Sequence, residues 1–160
     1  MNVRATRDLD REWISNNSAS VGGAQVVSNG VLHTLSNYPG LIGEKDGKPQ
    51  GFAIYNPTRP KAELIAIAAL TQWQGLGSLL LSAVEQACIA AGCRELWLST
   101  TNDNLQGLQF YQRRGFVLTQ LRPNAFQEVL AIKGMQTNEP VVGLNGIVIR
   151  DELQLTKPLT

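Results

Sequence analysis

Glu63-Leu64-Ile65-Ala66-Ile67-Ala68-Ala69-Leu70, then Gln72-Trp73-Gln74-Gly75-Leu76-Gly77-Ser78, then Leu79 to Ala91 closed by Gly92, is the run that decides the fold. Its first piece is short and apolar enough for a buried strand. In the third, apolar residues recur at Leu76, Leu80, Ala83, Val84, Ala87, Cys88 and Ala91, which is helical spacing. The order is therefore strand, glycine-rich turn, helix. Backbone N–H groups in the first turn of a helix lack intrahelical acceptors, and the macrodipole adds partial positive charge there. Gly75 and Gly77 remove side chains that would keep a ligand from that backbone. The pattern predicts an anion site suited to phosphate or pyrophosphate; a plain tight turn is the competing reading.

Two phosphate-binding patterns fail on this turn. A Walker loop needs Gly-Lys-Ser/Thr at the helix start, and no lysine is present. A dinucleotide fold needs a third glycine and an acidic residue ending the next strand. Leu80 stands at the third-glycine position, and the following strand ends in Ser99-Thr100-Thr101, with Glu95 at its beginning.

Composition bounds the rest. A chain of 160 residues with 43% apolar content predicts one domain, residues 1–160, with room for a proper core. Fourteen basic and 13 acidic residues nearly cancel, and the absence of a basic cluster argues against a nucleic-acid partner. No apolar run reaches membrane-spanning length, and Met1-Asn2-Val3-Arg4 leads into charge, so no membrane partner and no signal sequence are expected. Cys88 lies on the apolar helix face and Cys93 follows the helix cap, which predicts two reduced, packed thiols. With one histidine, zinc has little support, and a reducing cytoplasm is the expected setting.

From the N-terminus, Met1 to Thr6 reads as a short strand. Asp8 is placed to cap a helix through Asn16, with Leu9, Trp13 and Ile14 as the candidates to face inward. Asn29-Gly30 and Asp46-Gly47 each sit between apolar runs and predict two hairpins. Pro49 is assigned to the second turn. Leu96 to Ser99 is a buried strand, and Asn102 to Arg114 a helix stopped by Gly115. Phe116 to Leu121 is a strand, Asn124 caps a helix from Ala125 to about Met135, and Asp151 to Lys157 alternates as a strand.

Gln72-Trp73-Gln74-Gly75-Leu76-Gly77 matches Gln/Arg-x-x-Gly-x-Gly/Ala, the acyl-CoA signature of the GNAT superfamily of N-acetyltransferases. Asn104 to Phe116 resembles that superfamily's other signature, Asn-x-x-Ala-ϕ-x-ϕ-Tyr-x-x-x-Gly-Phe with ϕ apolar, departing from it only at Gly107. The stretch Val142 to Leu153 looks like a bacterial branch of this superfamily. The resemblance is specific from Glu63 to Phe116.

That resemblance implies an α+β GNAT fold: a mixed, mostly antiparallel central sheet flanked by helices and splayed between its two central strands. It implies acetyl-CoA as co-substrate and an amine, on a small molecule or peptide, as acceptor. The backbone of Ile67, Ala68 and Ala69 would pair with pantetheine as an added strand, or those residues are simple core. Gln72 and the N–H groups of Gln74, Gly75, Leu76, Gly77, Ser78 and Leu79 would hold the pyrophosphate. Asn104 would hydrogen-bond the pantetheine or its phosphate end, or serve only as a helix cap. Tyr111 would give a proton to the departing thiolate, since a phenol of pKa about 10 keeps its proton at neutral pH.

Glu63 is the best-placed base for the amine, acting through water. A solvated charge at a strand start is the competing reading. His33 is the pKa-matched alternative, and Asp151 and Glu152 are weaker. Trp13, His33, Tyr38 and Arg150 are candidates for the acceptor pocket. The rival class is a non-catalytic acyl-CoA-binding or sensor module, which would not need Tyr111. A homodimer through Asp151 to Lys157 is the assembly an edge strand there would invite.

Overall fold

The computed structural model describes residues 1–71 and 74–160. Along the chain run β1 (Asn2–Ala5), α1 (Asp10–Asn16), β2 (Gln25–Ser28), β3 (Val31–Thr34), β4 (Gly40–Lys45), β5 (Lys48–Asn56), β6 (Lys61–Ala69) and α2 (Leu76–Ala90). They are followed by β7 (Glu95–Thr101), α3 (Leu105–Arg113), β8 (Val117–Arg122), α4 (Ala125–Ile132) and β9 (Glu152–Pro158). The chain forms two compact units. One comprises Met1–Val26, His33–Leu96 and Pro158–Thr160, the other Val27–Leu32 and Trp97–Lys157.

In the first unit β1, β4, β5 and β6 are successive antiparallel neighbours, and the opening residues of β7 belong to the same unit. The β4–β5 hairpin turns on Asp46 (φ +53) and Gly47 (φ +74), the paired positive dihedrals that Asp-Gly accepts most easily. Pro49 is not in that turn. It lies in β5 opposite Glu44, where the register shifts, and a bulge is where a strand tolerates a residue without an N–H.

Strand alternation sends neighbouring side chains to opposite faces. Ile42, Phe52, Ile54 and Ile65 form a core with Ile14 of α1 and Leu35, and Trp13 packs edge-on against Phe52 at 6.4 Å. On the other face, Leu76 and Leu80 of α2 rest on Gly43 and Gly51, which are register partners.

The start of α1 differs from expectation. Asp8 caps nothing and is exposed, and Leu9 is 90% exposed at the N-cap position instead of facing inward. Asp10 is the buried acid: it accepts from Arg7 N–H at 2.7 Å and from both Nη atoms of Arg4 at 2.7 and 2.8 Å. Arg4 also donates to Glu44 at 2.7 Å. A two-point bond from an arginine on β1 outcompetes a local cap exposed to water.

In the second unit β9 lies between the remainder of β7 and β8, pairing antiparallel with β8 through Leu118↔Leu155 and Leu121↔Leu153. The outer strand there is therefore β8, not the C-terminal strand expected to offer an edge. Helix α3 stops as expected at Gly115 (φ +94), where Phe116 N–H returns to Tyr111 O at 3.1 Å. Asn124 does not cap α4 with its side chain. It sits at φ +59 and donates its backbone N–H to Asp151 Oδ1 at 2.9 Å.

The loop before β9 is latched to the end of β7. Asn102 Oδ1 accepts from Arg150 and Asp151 N–H at 2.9 and 3.0 Å, and Asp103 Oδ2 accepts from Leu144 N–H at 2.8 Å.

Candidate active site

Gly75 is the N-cap of α2, and its φ of +84 lies in the left-handed region that favours glycine. Among the described residues no side chain caps this helix end, and a Cβ built on Gly75 would meet nothing within 4 Å. Leu76, Gly77 and Ser78 are the first helical residues, the turn whose N–H groups have no acceptor within the helix itself. Leu79 N–H is already turned inward, bonding Gly75 O at 3.0 Å. Lys45 Nζ donates to Gln74 Oε1 at 3.2 Å, which brings a cation to the turn. Gln72 lies outside the described residues.

The seat under this turn explains its position. A Cβ at Gly43 would come within 2.6 Å of Leu76 Cδ1, and one at Gly51 within 2.6 Å of Ala68 O and 3.1 Å of Leu76 Cδ2. Two facing glycines thus let the helix start approach the sheet. Ile67, Ala68 and Ala69 end β6, and their partners on β5 are Ala53, Phe52 and Gly51.

Glu63 is near the start of β6, opposite Asn56, and is 6% exposed. The solvated strand-start charge weighed above is therefore not what the fold contains. His33 of β3 is equally buried, and its Nε2 lies 3.6 Å from Glu63 Oε2. Its Nδ1 lies 2.6 Å from the Tyr38 hydroxyl, with the two rings edge-on at 5.2 Å. Burial pushes the His33 imidazole below its usual 6.5, so the ring is neutral at pH 7. The fold thus brings together two residues that the sequence offered as alternative bases. Tyr38 also borders a cavity of about 380 Å³, with Arg7, Arg11, Ile14 and Thr34 among its walls. Trp13 is spent on packing against Phe52.

In the second unit, Asn104 is the N-cap of α3: its Oδ1 accepts from Gly107 N–H at 3.0 Å, and its Nδ2 donates to Thr100 Oγ1 at 2.9 Å. Tyr111 stands between Phe110 and Phe116, with ring centroids 5.2 and 5.7 Å away. That apolar setting pushes its phenol up to about 12. Asp151 is forked by Arg150 at 2.9 and 3.0 Å, and Glu152 accepts from Arg122 at 3.0 Å and from Asn29 N–H. Both acids are bound up in structural pairs. Among the described residues no cluster of His, Cys, Asp and Glu could hold a metal, and no helix is long and apolar enough to cross a membrane.

Sequence reading did not single out Tyr38 as the partner of His33, nor Asn102 and Asp103 as the latch. Asp103 carried a signal, since an acid directly before a helix-capping asparagine is placed to hold a neighbouring loop. The pairing of His33 with Glu63 carried none, because it depends on how distant strands pack.

The first unit thus carries a glycine-capped helix start after an alanine-rich strand, and the second a tyrosine packed between two phenylalanines. The acetyltransferase (GNAT) family model matches residues 10–116, and the chain belongs to that family. It is 31% identical over 163 residues to the uncharacterized protein YxbD of Bacillus subtilis (strain 168), covering 99% of each chain. Among solved structures, the ribosomal-protein-S18-alanine N-acetyltransferase of Escherichia coli superposes with a TM-score of 0.73 at 21% identity, covering 99% of this chain and 94% of that one. A GNAT family acetyltransferase from Elizabethkingia anophelis, solved with acetyl-CoA bound, gives 0.69 at 21% identity over 99% and 97%. The fold is the α+β GNAT fold, a mixed, mostly antiparallel sheet flanked by helices.

Proposed function

We propose that this chain acts as one catalytic domain that moves an acetyl group from acetyl-CoA to a primary amine of a small molecule or peptide, by direct attack and without a covalent enzyme intermediate. The observation that carries the reading is the helix start at Gly75, whose left-handed glycine N-cap no side chain among the described residues caps and beside which a Cβ would meet no described atom. Pyrophosphate fits there because the end of a helix offers N–H groups and positive potential together. The Elizabethkingia structure, solved with acetyl-CoA bound, supports that co-substrate, and the Escherichia coli ribosomal-protein-S18-alanine N-acetyltransferase supports a peptide amine as one acceptor class.

Acetyl-CoA supplies the acetyl group as a thioester. In this reading Leu76, Gly77 and Ser78 hold the pyrophosphate by backbone N–H, and Gln72 and Gln74 flank it. Ile67, Ala68 and Ala69 offer backbone to the pantetheine, with small side chains that leave room. Asn104, whose amide bridges Gly107 and Thr100, keeps a second Nδ2–H and a second Oδ1 lone pair with which to meet the pantetheine. Glu63, through a water, takes the proton that an ammonium must lose before its lone pair can attack. Tyr111 hydrogen-bonds the departing sulfur. A phenol near 12 gives up its proton only to a thiolate whose own basicity is raised, and the apolar walls around Tyr111 raise both together.

Free CoA thiol released from acetyl-CoA across a panel of amines, with wild type and Tyr111→Phe, tests this. Release that depends on an amine and falls at least about tenfold in the variant supports the enzyme and narrows the acceptor. Binding of acetyl-CoA without amine-dependent release favours the sensor module. No binding refutes both.

A further inference from the structure

Two of the observations in the first unit remain unused by this account: a neutral histidine buried against Glu63, and a tyrosine hydroxyl bonded to its far nitrogen. We propose that His33 is a positioning residue that aims an Nε2–H at the Glu63 carboxylate and holds it in its charged, proton-accepting form, and that Tyr38 steadies the ring in that tautomer by donating to Nδ1. The catalytic meaning rests on Glu63 as the base; the arrangement itself does not.

The argument starts from burial. Glu63 is 6% exposed, and a carboxylate out of water is driven toward its neutral form unless a donor or cation compensates. A neutral carboxylic acid cannot accept a proton from an ammonium. Nε2 of His33, at 3.6 Å from Oε2, is longer than a hydrogen bond but within direct electrostatic reach. If Nε2 bore its lone pair, two negative ends would face each other in a dry site. With the proton on Nε2, the ring dipole points its positive end at the carboxylate.

That choice leaves Nδ1 as an acceptor, so the Tyr38 hydroxyl at 2.6 Å must be the donor, and a phenol is a good one. Only the Nε2–H tautomer serves both contacts: the Nδ1–H form would still bond the Tyr38 oxygen but would turn the Nε2 lone pair on the carboxylate. The proton balance is simple: the ammonium loses one proton, the carboxylate gains it through water, and the imidazole changes neither charge nor proton count.

The neighbouring charges are committed elsewhere. Asp10 and Glu44 pair with Arg4, and Asp8 with Arg11. Asn56, opposite Glu63 on β5, does not titrate, and Lys61 on β6 is exposed. His33 faces the carboxylate directly, and Tyr38 faces the far nitrogen of its ring.

The test reads the carboxyl directly and needs no acceptor. Protein carrying 13C-labelled glutamate is titrated by NMR, and the Glu63 carboxyl carbon is assigned by its loss in Glu63→Gln. His33→Leu, which removes the donor, is expected to raise the Glu63 midpoint by about one pH unit or more, a tenfold change in proton affinity. His33→Gln, which keeps an N–H, is expected to recover part of that shift. Tyr38→Phe leaves the ring in place and removes the donor to Nδ1, so it moves the midpoint in the same direction by less.

A midpoint unmoved in both His33→Leu and Tyr38→Phe overturns the proposal, and Tyr38→Phe carries the test alone if His33→Leu does not fold. With an amine identified by thiol release, the acid limb of kcat/KM should move with the carboxyl. A midpoint that moves without its acid limb refutes Glu63 as the base and leaves the hold of His33 on the carboxylate supported.

Discussion

Replacing Gly107 with alanine would restore the residue that the family signature carries, and the structure says what it would displace. A Cβ on Gly107 would lie 2.2 Å from Asn104 Nδ2, 2.7 Å from its Cγ and 2.9 Å from its Oδ1. No real Cβ tolerates that approach, so the asparagine side chain must swing out. Its bonds from Gly107 N–H and to Thr100 Oγ1 go with it. Two opposing effects follow. Alanine in place of a helical glycine gains about 1 kcal/mol, and losing a side-chain N-cap costs about 1 kcal/mol.

The single substitution is therefore expected to fall within about 0.5 kcal/mol of wild type, which by itself is uninformative. The double-mutant cycle is the sharp measurement. Asn104→Ala in the natural chain should cost about 1 kcal/mol, and in the Gly107→Ala background close to nothing, because the cap is already gone. Urea unfolding with a common m value reads all four corners. Additive effects would show that Asn104 keeps its cap despite the alanine, and the account of why this chain departs from the signature would fail.

Three further outcomes follow from the packing and the charges. Arg4 holds the Asp10 carboxyl down to about 2, against burial that opposes it, so between the ordinary 3.8 and 2 the folded state binds fewer protons than the unfolded. Stability from this pair should be complete above about pH 4 and about 2 kcal/mol of it lost as pH falls through 2, a loss absent in Asp10→Asn by acid-titrated denaturation. Gly51→Ala, whose Cβ would stand 2.6 Å from the backbone oxygen of Ala68, should destabilise by about 2 kcal/mol or more in urea, since neither strand can yield. Gly75→Ala meets no neighbour but forces a left-handed alanine, so it should cost about 1 kcal/mol of stability while weakening CoA binding, measured by calorimetry, about tenfold or more.

What could be read from the sequence was local in origin. The strand, glycine turn and helix from Glu63 to Ala91 follow from apolar spacing, and the two hairpins follow from Asn29-Gly30 and Asp46-Gly47, whose φ values of +50, +77, +53 and +74 few other residues accept. Gly115 stops α3 for the same backbone reason. Misreadings came where a distant partner outweighs a local preference. Asp8 is as good a cap as Asp10 by sequence, and Arg4 on β1 decides between them. An alternating strand such as β9 does not declare whether it is an edge, because that depends on where β8 lies. The site divides along the same line. Glycines at 75 and 77 mark the proposed anion-binding helix start without any tertiary information. The state of the candidate base rests instead on a histidine thirty residues earlier, placed 3.6 Å away by the packing of a short hairpin. A binding motif can be local because backbone N–H groups do the holding. A charged group buried for proton transfer cannot be, because every atom that keeps it charged must come from another part of the chain.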